Sequence, residues 1–275
     1  MKPAPTTRTW TRYVAIGDSL TEGMSDPDPG VPGAYVGWAD RLAVHLAERA
    51  EAEGRDFGYA NLAIRGRLLA DVVGPQLDAG LALEPDLVSI IGGANDILRP
   101  KADVDALAGD LEAAVARIRA TGADVLMATP ADPWKAPLLR AFRGRCALYV
   151  ACIWGIAQRQ GAFVLDQWGQ PFLRDWSMWA DDRLHMNSEG HRRVSLAALA
   201  SLGIATDEVA WRTPPPPAPA VPRLEAATAN ARWAREHVGP WVQRRLRHES
   251  SGDHVLAKRP LVTPLQGHRA EPTIT

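Results

Sequence analysis

Apolar and polar positions along this chain fall into two alternating kinds of block. Short, nearly continuous apolar runs stand at Tyr13–Ile16, Phe57–Ile64, Asp86–Ile91, Ala123–Ala128 and Ala162–Asp166. Runs of this length, stopped by glycine or a short polar side chain, read as strands covered on both faces. Longer segments with helical spacing lie between them: Trp38–Glu53, Leu68–Leu83, Val104–Thr121, Leu138–Gln160 and Ser188–Leu202. In the third of these, Val104, Leu107, Leu111, Val115 and Ile118 keep to one face, Asp103 suits the N-cap and Gly122 the end. Strands alternating with helices predict an α/β fold, with a parallel sheet between two helical layers. Right-handed crossovers then bring the loops after Ser19, Gly66 and Asn95 to one edge of that sheet, where ligands collect in folds of this kind.

The pattern changes near residue 213. Thr213-Pro-Pro-Pro-Pro-Ala-Pro-Ala-Val-Pro222 excludes helix and central strand and reads as polyproline II. Arg223 to Glu249 is helical in pattern and basic, with Trp233, Val238, Trp241, Val242 and Leu246 as apolar anchors, and Gly239-Pro240 divides it. The arginines here could meet an acidic partner or nucleic acid; the plainer reading packs the apolar stripe on the main domain and leaves them solvated. Ser250 to Thr275 lacks periodicity and is expected to be loose.

Composition narrows the class. Hydrophobic residues make up 46% and charged residues 23% of the chain, with a net charge of −1. That is an ordinary globular balance, without a field to recruit nucleic acid or an anionic membrane. Cys146 and Cys152 have no metal-like spacing and read as buried thiols, compatible with a reducing compartment. The first twelve residues lack the apolar core of a signal peptide, and no run of about 18 apolar residues occurs. The expectation is a soluble, cytoplasmic protein of unspecified oligomeric state.

The candidate chemistry centres on Ser19. It follows the first strand on the turn Gly17-Asp18-Ser19, where a hydroxyl is exposed and rigidly backed, although a serine beside Gly and Asp is commonly only a turn residue. A nucleophilic serine needs a base, a group that fixes the base's tautomer, and donors for a developing oxyanion. Asp181-Asp182-Arg-Leu-His185 supplies the first two: Asp182 and His185 are three apart, close enough on a tight turn for the carboxylate to meet Nδ1–H. Asp181 has no histidine at that spacing, and His191 falls inside the last helix as a structural or surface residue. A metal site from Asp181, Asp182, His185 and His191 lacks further ligands, so no metal is expected. The backbone N–H groups of Ser19 and Gly66 and the Asn95 amide are oxyanion-hole candidates. Trp134, Trp176 and Trp179 could rim the cleft as weak substrate contacts; filling the core is the plainer role for them among ten tryptophans.

The segments Gly17-Asp18-Ser19-Leu20, Asn61-Leu-Ala-Ile-Arg-Gly66, Gly93-Ala-Asn95-Asp96 and Asp182-Arg-Leu-His185 resemble, in order, the four blocks of the SGNH, or GDSL, hydrolase family. The resemblance covers about Arg12 to Gly203, with Met186 a small departure. It implies a flavodoxin-like three-layer α/β/α sandwich with five parallel strands. It also implies a cofactor-free Ser-His-Asp esterase: Ser19 as nucleophile, His185 as base, Asp182 as its orienter, and Ser19, Gly66 and Asn95 as the oxyanion hole. The chain then divides into a hydrolase domain (1–205), a Pro-rich linker (206–222) and a basic helical extension with a loose tail (223–275). The expected substrate is a small-molecule ester with a short acyl or acetyl group. Thioesters, lysophospholipids and acetylated carbohydrates stay open, as does a binding module without turnover.

Overall fold

The computed structural model describes residues 7–136, 139–206, 210–216, 222–233, 235–236, 239 and 250–267. Its strands are β1 (Arg12–Ile16), β2 (Gly58–Asn61), β3 (Leu87–Ile90), β4 (Asp124–Ala128), β5 (Phe163–Leu165) and β6 (Arg259–Pro264). They form one sheet in the order β5-β4-β3-β1-β2-β6. The first five pair in parallel, with Tyr13 opposite both Tyr59 and Leu87, and β6 runs antiparallel to β2.

The helices are α1 (Ser19–Glu22), α2 (Trp38–Ala52), α3 (Leu69–Asp71), α4 (Leu77–Leu81), α5 (Ala94–Ile97), α6 (Val104–Ala120), α7 (Arg143–Gln160), α8 (Ser188–Ser201) and α9 (Arg223–Trp233). The two faces of β1 show why three layers result. Tyr13 and Ala15 join Leu42 and Leu46 of α2 and Val194 and Leu199 of α8 in one cluster. Val14 and Ile16 join Leu111, Val115 and Ile118 of α6 and Ile153 of α7 in the other. Each such side chain contributes about 1.5–3 kcal/mol by leaving water, and a strand clothed on both faces has no polar alternation to show. Asp103 caps α6 through Asp105 and Ala106 N–H, as its position in the sequence predicts. Among the described residues no helix is long and apolar enough to cross a membrane.

Two expectations need correction. The crossover segment expected as one helix over Leu68–Leu83 is broken: α3 and α4 flank a π-helical turn, Val72–Gln76, containing Pro75. Proline has no N–H to continue the helical ladder, and the turn widens around it. The tail expected to be loose supplies β6, so the five parallel strands gain a sixth, antiparallel neighbour. Pro260 and Pro264 hid this strand, since proline is tolerated only where one side of the ladder is unused, at an edge. Of the basic segment 223–249, residues 223–233 form α9, while most of the remainder, including Trp241, Val242 and Leu246, lies outside the described residues.

Lys258 fastens this tail to the main layers. Its Nζ donates to the Glu22 and Tyr35 carbonyls at 2.6 and 3.0 Å and to Asp40 Oδ2 at 2.6 Å. Replacing Lys258 with Met takes the ammonium from the Asp40 carboxylate, which keeps only the Gly37 N–H and Tyr59 hydroxyl, and its expected cost is about 2 kcal/mol, read as a lowered urea midpoint at unchanged slope.

Candidate active site

β1 ends at Ile16, and Ser19 opens α1 directly beyond it. The turn between is clamped from two sides. Gln76, delivered by the π-helical turn, accepts from Gly17 N–H at 2.8 Å and donates to Gly17 C=O at 3.0 Å. Asp18 Oδ1 accepts from Leu20 N–H at 3.1 Å, capping the short helix. Ser19 therefore sits on backbone fixed both before and after it.

His185 lies on the turn before α8, 166 residues from Ser19, and its Nε2 stands 3.0 Å from Ser19 Oγ. Its Nδ1 is 2.6 Å from Asp182 Oδ2. With Nδ1–H donated to the carboxylate, Nε2 turns its lone pair to the serine hydroxyl. The other oxygen, Asp182 Oδ1, accepts from the Leu184 and His185 N–H groups at 2.9 and 3.0 Å. One carboxylate thus closes the turn and orients the ring. Burial alone would raise the Asp182 pKa, but the hydrogen bond and charge of His185 and the two amides outweigh it and hold the carboxyl below its ordinary range. Arg183 takes a left-handed φ of 56° in the middle of this turn, a conformation costing about 1–2 kcal/mol without glycine. Asp181 is exposed.

The Gly66 and Asn95 loops meet at the same sheet edge. Asn95 Nδ2 donates to Arg67 C=O at 2.9 Å, using one of its two hydrogens. Asp96 Oδ2 accepts from Leu69 N–H at 2.9 Å. Gly66 has φ 73°, and a Cβ there would strike the Ser250 and Ser251 hydroxyls. Glycine is thus required twice, by conformation and by close approach. Beside it, Glu22 Oε2 accepts from Arg65 N–H at 2.6 Å and Oε1 from Arg65 Nε at 2.9 Å, pinning the Gly66 loop to the end of α1.

His191 is fully buried: its Nδ1 accepts from Trp38 N–H at 3.2 Å and its Nε2 lies 3.4 Å from Met24 C=O. Burial lowers its pKa to about 3, so it stays neutral and structural. The tryptophans diverge. Trp134 is exposed, with the Arg140 and Arg143 guanidiniums each 5.3 Å from its ring centre. Trp179 donates its indole N–H to Leu173 C=O at 2.9 Å and packs on the core. Trp176 lies beside the Asp182–His185 turn, against Arg183. Sequence reasoning missed Gln76, Glu22 and Arg65 as supports, because their partners lie 59 and 43 residues away and no local spacing announces them.

A family model described as the GDSL-like lipase/acylhydrolase family matches residues 15–193. The chain belongs to this family. Membership places it among carboxylic ester hydrolases. No curated protein matches the chain. Among solved structures, this family member resembles the psychrotrophic esterase EstA from Pseudoalteromonas sp. (21% identity, TM-score 0.53, covering 70% of this chain and 96% of EstA). It also resembles Axe2, an acetylxylan esterase from Geobacillus stearothermophilus (21%, 0.58, 74% and 98%). A third likeness is to LAE5, an α/β hydrolase enzyme from the Lake Arreo metagenome (24%, 0.58, 74% and 99%). At these identities the likeness establishes the shared fold.

Asp18 offers a pH test of the turn that carries Ser19. Burial raises its pKa from 3.8 to about 6, against its backbone hydrogen bond and the nearby His185. A carboxyl that titrates higher in the folded chain costs no stability below its unfolded value, and the cost grows until pH passes the folded one. The interval between 3.8 and about 6 corresponds to about 3 kcal/mol. Asp18→Asn, whose amide oxygen can still cap Leu20, should therefore leave Tm unchanged near about pH 4 and raise it near about pH 8. An equal change at both pH values would show that the charge is not responsible.

Proposed function

We propose that this family member hydrolyses esters of short acyl groups through Ser19 as nucleophile, His185 as general base and Asp182 as its orienter. The observation that carries the reading is the continuous chain from Asp182 Oδ2 through His185 to Ser19 Oγ, with contacts of 2.6 and 3.0 Å. His185 Nε2 takes the Ser19 proton as Oγ attacks the ester carbonyl, and the ring becomes an imidazolium facing Asp182. The tetrahedral oxyanion receives hydrogen bonds from the Ser19 and Gly66 N–H groups and from the second Asn95 amide hydrogen. His185 returns its proton to the departing alkoxide, and the alcohol leaves an acyl-enzyme. Water, deprotonated by the same nitrogen, then releases the acid.

A short acyl group is favoured because the Ser250 and Ser251 side chains occupy the space against Gly66. Likeness in fold to Axe2, named as an acetylxylan esterase, supports acetyl esters of carbohydrates as a second form of the same reading. We place the working domain at residues 1–205 and read the described parts of the later chain as an extension built onto it, with Trp233 of α9 seated against the Asp182 turn and β6 paired to β2.

Hydrolysis of a p-nitrophenyl ester series of graded chain length tests the assignment. Acetate and butyrate should turn over fastest, and Ser19→Ala should reduce kcat to the background rate with folding unchanged. Full activity in that variant would remove Ser19 from the role. Asn95→Ala should lower kcat by about 10²–10³, measured at saturating ester, and an unchanged kcat would exclude the amide from the oxyanion hole.

A further inference from the structure

The family match ends at residue 193, yet two later segments touch the candidate site from opposite sides. On one side, Arg67 Nη2 donates to Gly252 C=O at 3.4 Å, and Ser250 and Ser251 lie against Gly66. On the other, α9 reaches the turn that carries Asp182 and His185. The buried Trp233 donates its indole N–H to the Asp182 carbonyl oxygen at 2.8 Å. The Arg183 guanidinium lies between two rings, its carbon 5.3 Å from the centre of Trp176 and 5.3 Å from that of Trp233. Its Nη1 donates to Asn230 Oδ1 at 2.6 Å.

These contacts fall where the turn needs outside help. The three hydrogen bonds recorded for the Asp182 carboxylate all stay within the turn and on His185, so none of them ties the turn to another element. Arg183, at φ 56°, holds a conformation that persists only when the surroundings impose it. The Trp176–Arg183–Trp233 stack and the Trp233–Asp182 hydrogen bond supply that constraint at the residue next to the strain and at the residue that orients the base.

From this geometry we propose that Trp233 is a positioning residue: it holds the Asp182–His185 turn where Nε2 can meet Ser19, making the chain beyond the family match part of the active site. The proposal rests on the roles given above to Ser19, His185 and Asp182. A loosened turn moves Nε2 out of line with Ser19 Oγ, now 3.0 Å away, while substrate binding is untouched.

Trp233→Phe in the full chain tests this, because it keeps a benzene ring against Arg183 and loses the pyrrole part of the indole with the N–H that reaches Asp182. Its kcat should fall about 10- to 100-fold with KM changed less than about twofold. Val262→Ala on β6, away from the turn, serves as a control that lowers Tm without changing kcat. If Trp233→Phe keeps wild-type kcat, changes KM and kcat together, or loses activity only in step with Tm, the proposal is overturned. Ser19→Ala run alongside distinguishes the two levels: an inactive Ser19→Ala beside a wild-type-like Trp233→Phe defeats this inference alone, whereas an active Ser19→Ala defeats the reading beneath it.

Discussion

Parallel pairing of β1 to β5 is the constraint on which the other features depend. Strands that all run one way end at one edge, so the turns after β1, β2 and β3 meet there however far apart they lie in sequence. Tight backing follows from the same arrangement. With Tyr13 and Ala15 buried in one layer and Val14 and Ile16 in the other, β1 cannot shift without opening both cores, and the Ser19 turn inherits that rigidity. His185 comes from beyond the last parallel strand, on a turn anchored by the fully buried Met186 and by Asn187 at the start of α8. A small imidazole can thus bridge two rigid bodies.

How much of this was legible in the sequence differs from residue to residue, for physical reasons. The parallel strands and α6 were readable because their burial is imposed by period and by capping, both local. The meeting of Asp182 with His185 was readable from their three-residue spacing on a turn, and the place of Ser19 from the turn residues that end the first strand. Gln76 was not, since a clamp on Gly17 depends on a proline-widened turn whose register no periodicity conveys. Nor was the Glu22–Arg65 pair, whose worth lies in bringing two loops together rather than in any pattern within either. β6 escaped because an edge strand with two prolines and an outward Leu261 looks in sequence like a disordered tail.

His185 and His191 show how environment sorts identical chemistry. His191 spends both ring nitrogens on backbone groups and has no freedom to accept a proton, whereas His185 faces a carboxylate on one side and a hydroxyl on the other. Six positions along the sequence separate an imidazole closed in by backbone groups from one facing a carboxylate and a hydroxyl, and the difference is made by what each ring touches.

The way the sheet terminates has a bearing on how these molecules behave toward one another. One margin is β6, where Pro260 and Pro264 withhold the donors that an incoming foreign strand would use; the other is β5, only 3 residues long. Neither offers a long flat template, so crowded copies have little opportunity to zip together along their backbones. The same late stretch of chain that meets the Gly66 loop through Ser250 and Ser251 therefore also shields the parallel core from self-association.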